Sequence, residues 1–417
     1  MSSLAAIGLV VANLGLLYLL LAAPLGVRTI TVRRRIAADR SKLWNAIFPR
    51  GDNAGWSGET LSVAPVPGEP DAVRVKLSWE GRDGLPIERT LLLDDVVEGE
   101  RYSLTVFDDS SLDRAFWKNY RENGALSGED GDILVTLSRI DRYRGAALFL
   151  FRYFVLRREL RKLKSWAETG AFRKGGLFEH PLSQVGFAVI SALIFWPIFG
   201  LDTGGFVLAV VLTAVVALHE LGHLAAFRVM GHRKVRMIFI PLLGGLAIGG
   251  RPYDSRFEVA FVALMGAGFS AFLVPIAIAL SASASTAGHA VPSALFATLA
   301  GIAAIFNIAN LVPVWKFDGG QVLRQICGSS ALLAVASFCL LSAFLALGFL
   351  AGLPAGMLIF AGAIIALLSL ITAGGTVKPR HQLKPIGMVE RLAIAGAFVS
   401  VFAIHAYGVL WASERLV

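Results

Sequence analysis

The feature that most limits what this chain can fold into is a series of apolar runs, each long enough to cross a bilayer. They fall at about 4–24, 182–200, 206–229, 257–280, 292–313, 331–351, 355–373 and 390–411. A helix of about 20 apolar residues spans the hydrocarbon core, and backbone in lipid must satisfy its own hydrogen bonds. The runs therefore predict eight membrane helices. Composition agrees, with 55% of residues hydrophobic and 17% charged, as in a polytopic membrane protein with one soluble insert. The two cysteines, Cys327 and Cys339, fall at the edge of and within one expected span, so they indicate neither a disulfide framework nor a metal site.

The net charge of +9 is placed like a membrane topology signal rather than a nucleic-acid footprint, and no nucleic-acid partner is expected. Arg28 and Arg33 to Arg35 follow the first run; Arg157, Arg158, Arg161, Lys162, Lys164, Arg173 and Lys174 precede the second. Basic residues follow the third, fifth and seventh runs as well, whereas loops 201–205, 281–291 and 352–354 have no Lys or Arg. Positive charge accumulates on the cytoplasmic side, so both termini are expected outside and the large insert inside. The first run lacks a basic residue before its apolar core, so 1–27 reads as an uncleaved anchor rather than a signal peptide. The composition looks bacterial, so the expected location is a bacterial inner membrane.

Within the third run stands Leu218-His219-Glu220-Leu221-Gly222-His223, an H-E-x-x-H pattern. Residues four apart share one face of a helix, so His219 and His223 can hold one Zn2+ while Glu220 lies beside the attacking water. A catalytic zinc needs a third protein ligand and an open fourth position. Asp318 is the best candidate, after Pro313 ends the fifth run; the Gly pair 319–320 is expected to let the backbone turn so that the carboxylate points back. The other reading of Asp318 is the N-cap of a short helix over 319–326. Spare histidines for a fourth ligand are His232 and His405.

These residues closely resemble the site-2 protease family of intramembrane zinc peptidases, whose second motif reads N-x-x-P-x-x-x-x-D-G. Here it is Asn310, Pro313, Asp318 and Gly319, with Phe317 where Leu is usual. The resemblance covers 181–411 and implies a peptidase core there. It implies that Asn310 donates a hydrogen bond to the oxyanion, and that 235–248 forms a membrane-embedded β-hairpin. Relatives often carry A-G-P-x-x-N where this chain has Ala267 and Ser270. Ser270 is then either polar near the site or a small residue packed between helices.

Residues 28–170 change period to that of a soluble domain. A strand opens at Thr29 to Val32, a helix follows over 38–48, strands are expected at 72–77, 89–93, 102–107 and 132–138, and a long helix over 143–169 closes it. This order resembles the START-like helix-grip domains related to polyketide cyclases. The resemblance implies an α+β domain that either encloses an apolar ligand or docks a regulatory protein.

The expected function is an intramembrane zinc endopeptidase cutting membrane-spanning or membrane-associated proteins in regulated proteolysis, in contact with the lipid bilayer. Its active-site side and soluble domain are expected to be cytoplasmic. Two other classes stay open: a membrane sensor or scaffold with structural zinc, and a zinc hydrolase acting on a non-peptide bond.

Overall fold

The computed structural model describes residues 11–12, 15–16, 18–20, 22–171, 180–240, 244–372 and 380–416. The expected span 4–24 lies largely outside them. The chain divides into two compact units, one comprising Met1–Lys174 with Gly374–Gln382 and the other Gly175–Ala373 with Leu383–Val417.

The first unit is a seven-stranded antiparallel sheet closed by a helix. Its elements are β1 (Pro24–Ile36), α1 (Arg40–Ile47), β2 (Thr60–Val66), β3 (Glu69–Glu80), β4 (Pro86–Val97), β5 (Arg101–Asp109), α2 (Arg114–Trp117), β6 (Arg121–Glu129), β7 (Asp132–Arg144) and α3 (Ala146–Thr169). The spatial order is β1-β7-β6-β5-β4-β3-β2, so every neighbouring pair except β1·β7 is consecutive in sequence. Helix α3 buries Leu156, Leu160, Leu163 and Ala167, a single stripe at helical spacing, against inward residues such as Ile30, Val135 and Leu137. The expected helix over 143–169 starts later, because β7 runs to Arg144 and Gly145, at φ 80°, makes the turn between them.

Two strands were not expected from the sequence. β6 reads Arg-Glu-Asn-Gly-Ala-Leu-Ser-Gly-Glu, with no apolar alternation; it pairs with β5 and β7, and Gly124, opposite Tyr102, leaves room for that ring. β2 contains Pro65, which only an edge strand accepts, and it is the sheet's edge. Side chains of α3 and the sheet, among them Leu156, Leu160, Leu163, Val135 and Leu137, pack into one core. A small cavity lined in part by Tyr120, Arg139 and Leu156 is about 10 Å³, the room of roughly one water. Nearby, Glu122 accepts from Arg139 (2.7 Å) and from the hydroxyls of Tyr120 (2.9 Å) and Tyr102 (3.4 Å), while Arg139 also pairs with Glu159 (3.0 Å). An open groove of about 450 Å³ lies along β2 and the 50–55 turn.

The second unit holds α4 (Pro181–Phe199), α5 (Thr203–Val229), β8 (Arg236–Ile240), β9 (Gly244–Ile248), α6 (Arg256–Ala271), α7 (Leu273–Thr286), α8 (Ala290–Asn310), α9 (Asp318–Ile326), α10 (Ser330–Leu350), α11 (Ala355–Thr372) and α12 (Met388–Leu416). Six stretches among the described residues are helical, long and apolar enough to cross a membrane. Of the eight expected runs, 4–24 lies largely outside the described residues, and 355–373 contributes the shorter apolar helix Ala355–Leu368. The chain is an integral membrane protein. α6 and α7 form one apolar stretch of 31 residues broken near Phe272. Pro275 has no N–H for the Ala271 carbonyl, which ends the first helix there.

α5 buries its middle against α6 and α8, and α12 packs on α6 and α8, through small residues such as Ala260, Ala263, Ala267, Ala300 and Ala304. Small side chains let membrane helices approach closely, which is the main source of packing where lipid removes the hydrophobic drive. α4 and α10 expose most of their apolar surface, as lipid-facing helices do. β8 and β9 pair antiparallel, Arg236 opposite Ile248 and Ile240 opposite Gly244, which is the hairpin expected over 235–248. Residues 241–243 lie outside the described residues.

Candidate active site

The site forms where α5, α6, α8 and α9 meet. His219 and His223 sit one turn apart on α5, and their Nε2 atoms stand 3.1 Å from each other. Asp318 Oδ2 lies 3.1 Å from His219 Nε2 and 3.4 Å from His223 Nε2. All three residues are largely buried.

Local sequence explains the convergence. A Cβ at Gly222 would stand 2.7 Å from Phe269 Cβ and overlap the Met265 carbonyl, and one at Gly266 would stand 2.5 Å from His223 Nε2 and 2.6 Å from His219 Cε1. Glycine at both positions lets α6 lie directly against the histidine rings. The Gly pair after Asp318 works differently from the expected tight turn. Cβ atoms at Gly319 and Gly320 would overlap the Leu311 and Val314 carbonyls, so the pair allows the first turn of α9 to rest on the 311–314 segment. Phe317, not Asp318, occupies the N-cap of α9. The Asp318 carboxylate therefore faces the histidines rather than capping the helix.

Hydrogen bonds to the far side of each ring fix which nitrogens are bare. The Val262 carbonyl can only accept, so His223 Nδ1 donates to it at 2.7 Å. Asn307 Nδ2 donates to the Ala303 carbonyl at 2.7 Å, which turns its Oδ1 towards His219 Nδ1 at 2.8 Å to accept that proton. In the neutral imidazoles that a metal requires, an Nδ1 proton leaves both Nε2 atoms with bare lone pairs. They face Asp318 Oδ2, a buried carboxylate oxygen that receives no hydrogen bond. Three lone-pair donors converging in an apolar interior repel unless a cation lies among them. Separations of 3.1, 3.1 and 3.4 Å match the tetrahedral edge of about 3.3 Å implied by zinc bonds of about 2.0–2.1 Å. These donors fit Zn2+.

Among the described residues, no fourth side chain joins the group. His232 Nε2 is engaged by Glu258 at 2.6 Å, and His405 Nε2 by the Ala267 carbonyl at 3.0 Å. Ser270 turns back to the Gly266 carbonyl of its own helix at 3.3 Å, in keeping with the packing alternative. Glu220, between the histidines, accepts from the Ala247 N–H of β9 at 3.1 Å.

Asn310, the residue expected to serve the oxyanion, lies near the end of α8, three residues beyond Asn307. Its Nδ2 donates to the Phe306 carbonyl at 3.0 Å, and the residue is half-buried. Asn307, fully buried, is the asparagine that touches the metal-ligand set. The sequence did hold a signal for it. Two asparagines in an otherwise apolar helix each need a partner, and Asn307 lies a full turn inside the helix end.

Several solved structures are similar to the N-terminal region. They include the Aha1 dimer from Colwellia psychrerythraea, at 15% identity over 36% of this chain and 99% of that one, with a TM-score of 0.28. A START superfamily protein from Mycobacterium smegmatis shows 12% identity over 35% and 99%, TM-score 0.26, and Ara h 8.0201 shows 17% over 34% and 94%, TM-score 0.27. Comparison with curated proteins gives no match. Residues 274–351, which carry Asn307, Asn310 and Asp318, match the profile of peptidase family M50.

Proposed function

We propose that this chain is an intramembrane zinc endopeptidase of the site-2 protease type, acting on membrane-spanning or membrane-associated proteins. One observation carries the reading: three converging metal donors with no fourth side chain among the described residues, next to a glutamate, inside a bundle of apolar helices. Zinc held by His219, His223 and Asp318 would supply Lewis-acid activation of water and polarisation of the scissile carbonyl. Glu220 takes the proton of the attacking water as general base and returns it to the leaving amine nitrogen. Asn307 and the Val262 carbonyl hold the two imidazoles in the tautomer that leaves Nε2 free, and Gly266 keeps α6 close enough to fix their rotation.

A helical substrate hides its carbonyls, so a segment must unwind before attack. β9 supports strand addition there. The Ala247 N–H points away from β8, so its edge of the hairpin faces the site. The basic flanks of the apolar runs support a cytoplasmic active-site side in an inner membrane. The first unit serves as a regulatory module that takes either an apolar ligand or a docking protein. The sensor or scaffold alternative requires a closed four-ligand zinc site, and His232 and His405 are both engaged elsewhere.

The test is metal content against turnover in the purified full chain. His219→Ala, His223→Ala and Asp318→Ala should each lose zinc, whereas Glu220→Gln should keep about one zinc per chain and cleave nothing. Full zinc in Asp318→Ala removes it from the ligand set; an active Glu220→Gln refutes the general-base role.

A further inference from the structure

β9 does more than border the site: it rests on the general base. A Cβ at Gly245 would overlap Glu220 Cγ and stand 2.8 Å from its Cδ, so the strand backbone is already in contact with that side chain. Adjacent strands need about 4.8 Å between their backbones. No strand-wide gap exists between β9 and Glu220 for a substrate segment. The one outward N–H of β9 known to be engaged, that of Ala247, is taken by Glu220 itself. On β8 the Phe239 N–H is held in the same manner by Gln184 of α4. At its base the hairpin is pinned to α6. Arg251 bonds the Met230 carbonyl (3.0 Å) and pairs with Glu258 (3.0 Å), which also receives His232.

We propose that the Ala247 N–H is a specificity-determining group with two exclusive partners: Glu220 in the resting enzyme and a backbone carbonyl of the substrate in the working one. This rests on the peptidase reading above. In an antiparallel ladder a residue's N–H and C=O point to the same side, so Ala247 offers a donor and an acceptor together. An extended substrate segment with a carbonyl and a free amide N–H at that register satisfies both, displaces β9 from Glu220 and frees both carboxylate oxygens for proton transfer. A segment with proline at that register, or a peptide too short to pair, satisfies at most one and leaves the contact closed. The selected class is thus an unwound, extended stretch of a membrane protein, free of proline at the position opposite Ala247.

Two measurements on the full-length protein test this. The first is Ala247→Pro, which removes the N–H at a position that makes no ladder bond to β8 and so is tolerated on an edge. The ratio of kcat/KM for a single-span protein substrate to that for a blocked dipeptide should fall about fivefold, the size of one neutral amide–carbonyl hydrogen bond. An unchanged ratio overturns the proposal. The second is amide exchange at 15N-labelled Ala247 in wild type and Glu220→Ala, which does not require Ala247→Pro to fold. Exchange should be faster in Glu220→Ala at rest, and equally slow in both with an uncleaved extended peptide bound. Equal exchange in the two resting proteins overturns the proposal. If wild type cleaves neither substrate while exchange still depends on Glu220, the peptidase reading has failed and the contact stands.

Discussion

Gly266→Ala should strip the metal site without touching a ligand. A Cβ there would lie 2.5 Å from His223 Nε2, and ordinary contact begins at 3.4 Å, so the ring or the helix must give by 3.4 − 2.5 = 0.9 Å. Metal–ligand distances tolerate about 0.2 Å, and overpacking a close-packed interior costs about 1–3 kcal/mol. If α5 and α6 stay packed, the rings rotate and zinc affinity falls at least about tenfold, the lower range seen when a ligand's supporting group is lost. Gly268→Ala is the control on the same helix. Its Cβ would meet Met265 Sδ at 3.5 Å and Val401 Cγ2 at 3.8 Å, both ordinary contacts. Competition for zinc with a chromogenic chelator, in detergent-solubilised protein, measures the affinity. The reasoning is refuted if Gly266→Ala binds zinc as wild type does and unfolds at the same temperature, because α6 then does not bear on the rings.

Asn307→Leu leaves the His219 Nδ1–H buried without an acceptor, so zinc affinity should drop about 10- to 100-fold; Asn310→Leu should leave it unchanged, and the same chelator assay separates them. In the first unit, burial pushes the Glu122 carboxyl up, but Arg139 and the tyrosine hydroxyls outweigh this and hold it below its ordinary value. A carboxylate lowered on folding adds stability above its unfolded pKa of about 4.3 and loses it as pH falls through the folded value. The unfolding midpoint should therefore decline more steeply with acid below about pH 4 in wild type than in Glu122→Gln, and parallel curves would contradict the pairing. For orientation, a cysteine placed at Ala287 should react with an impermeant thiol reagent added outside and one at Ser127 should not; the reverse pattern would invert the topology.

The parts legible in the sequence are those set by short-range periodicity. Apolar runs located the helices of the second unit, and the i, i+4 spacing put His219 and His223 on one face. Asp318, nearly a hundred residues on, came from a motif, and the structure brings it to the same point. What escaped depends on packing between distant segments. Asn307 and Asn310 are three residues apart on one helix, and only the position of α5 decides which of them meets His219. The contacts at Gly222 and Gly266, and those of the Gly319–Gly320 pair, likewise exist only where two backbones meet. β6 lacks alternation because one of its buried positions is a glycine beneath Tyr102, which no single-strand pattern reports.

The central claim is that this site cuts proteins within the membrane and that Glu220 moves the proton. The most direct measurement compares membrane proteomes of cells carrying wild type and Glu220→Gln at equal expression and equal zinc content. Single-span proteins that persist uncut only in the mutant, with termini in the wild type mapping inside their membrane segments, are the predicted result. Identical proteomes, with purified wild-type protein also inactive on those segments in liposomes, would contradict it.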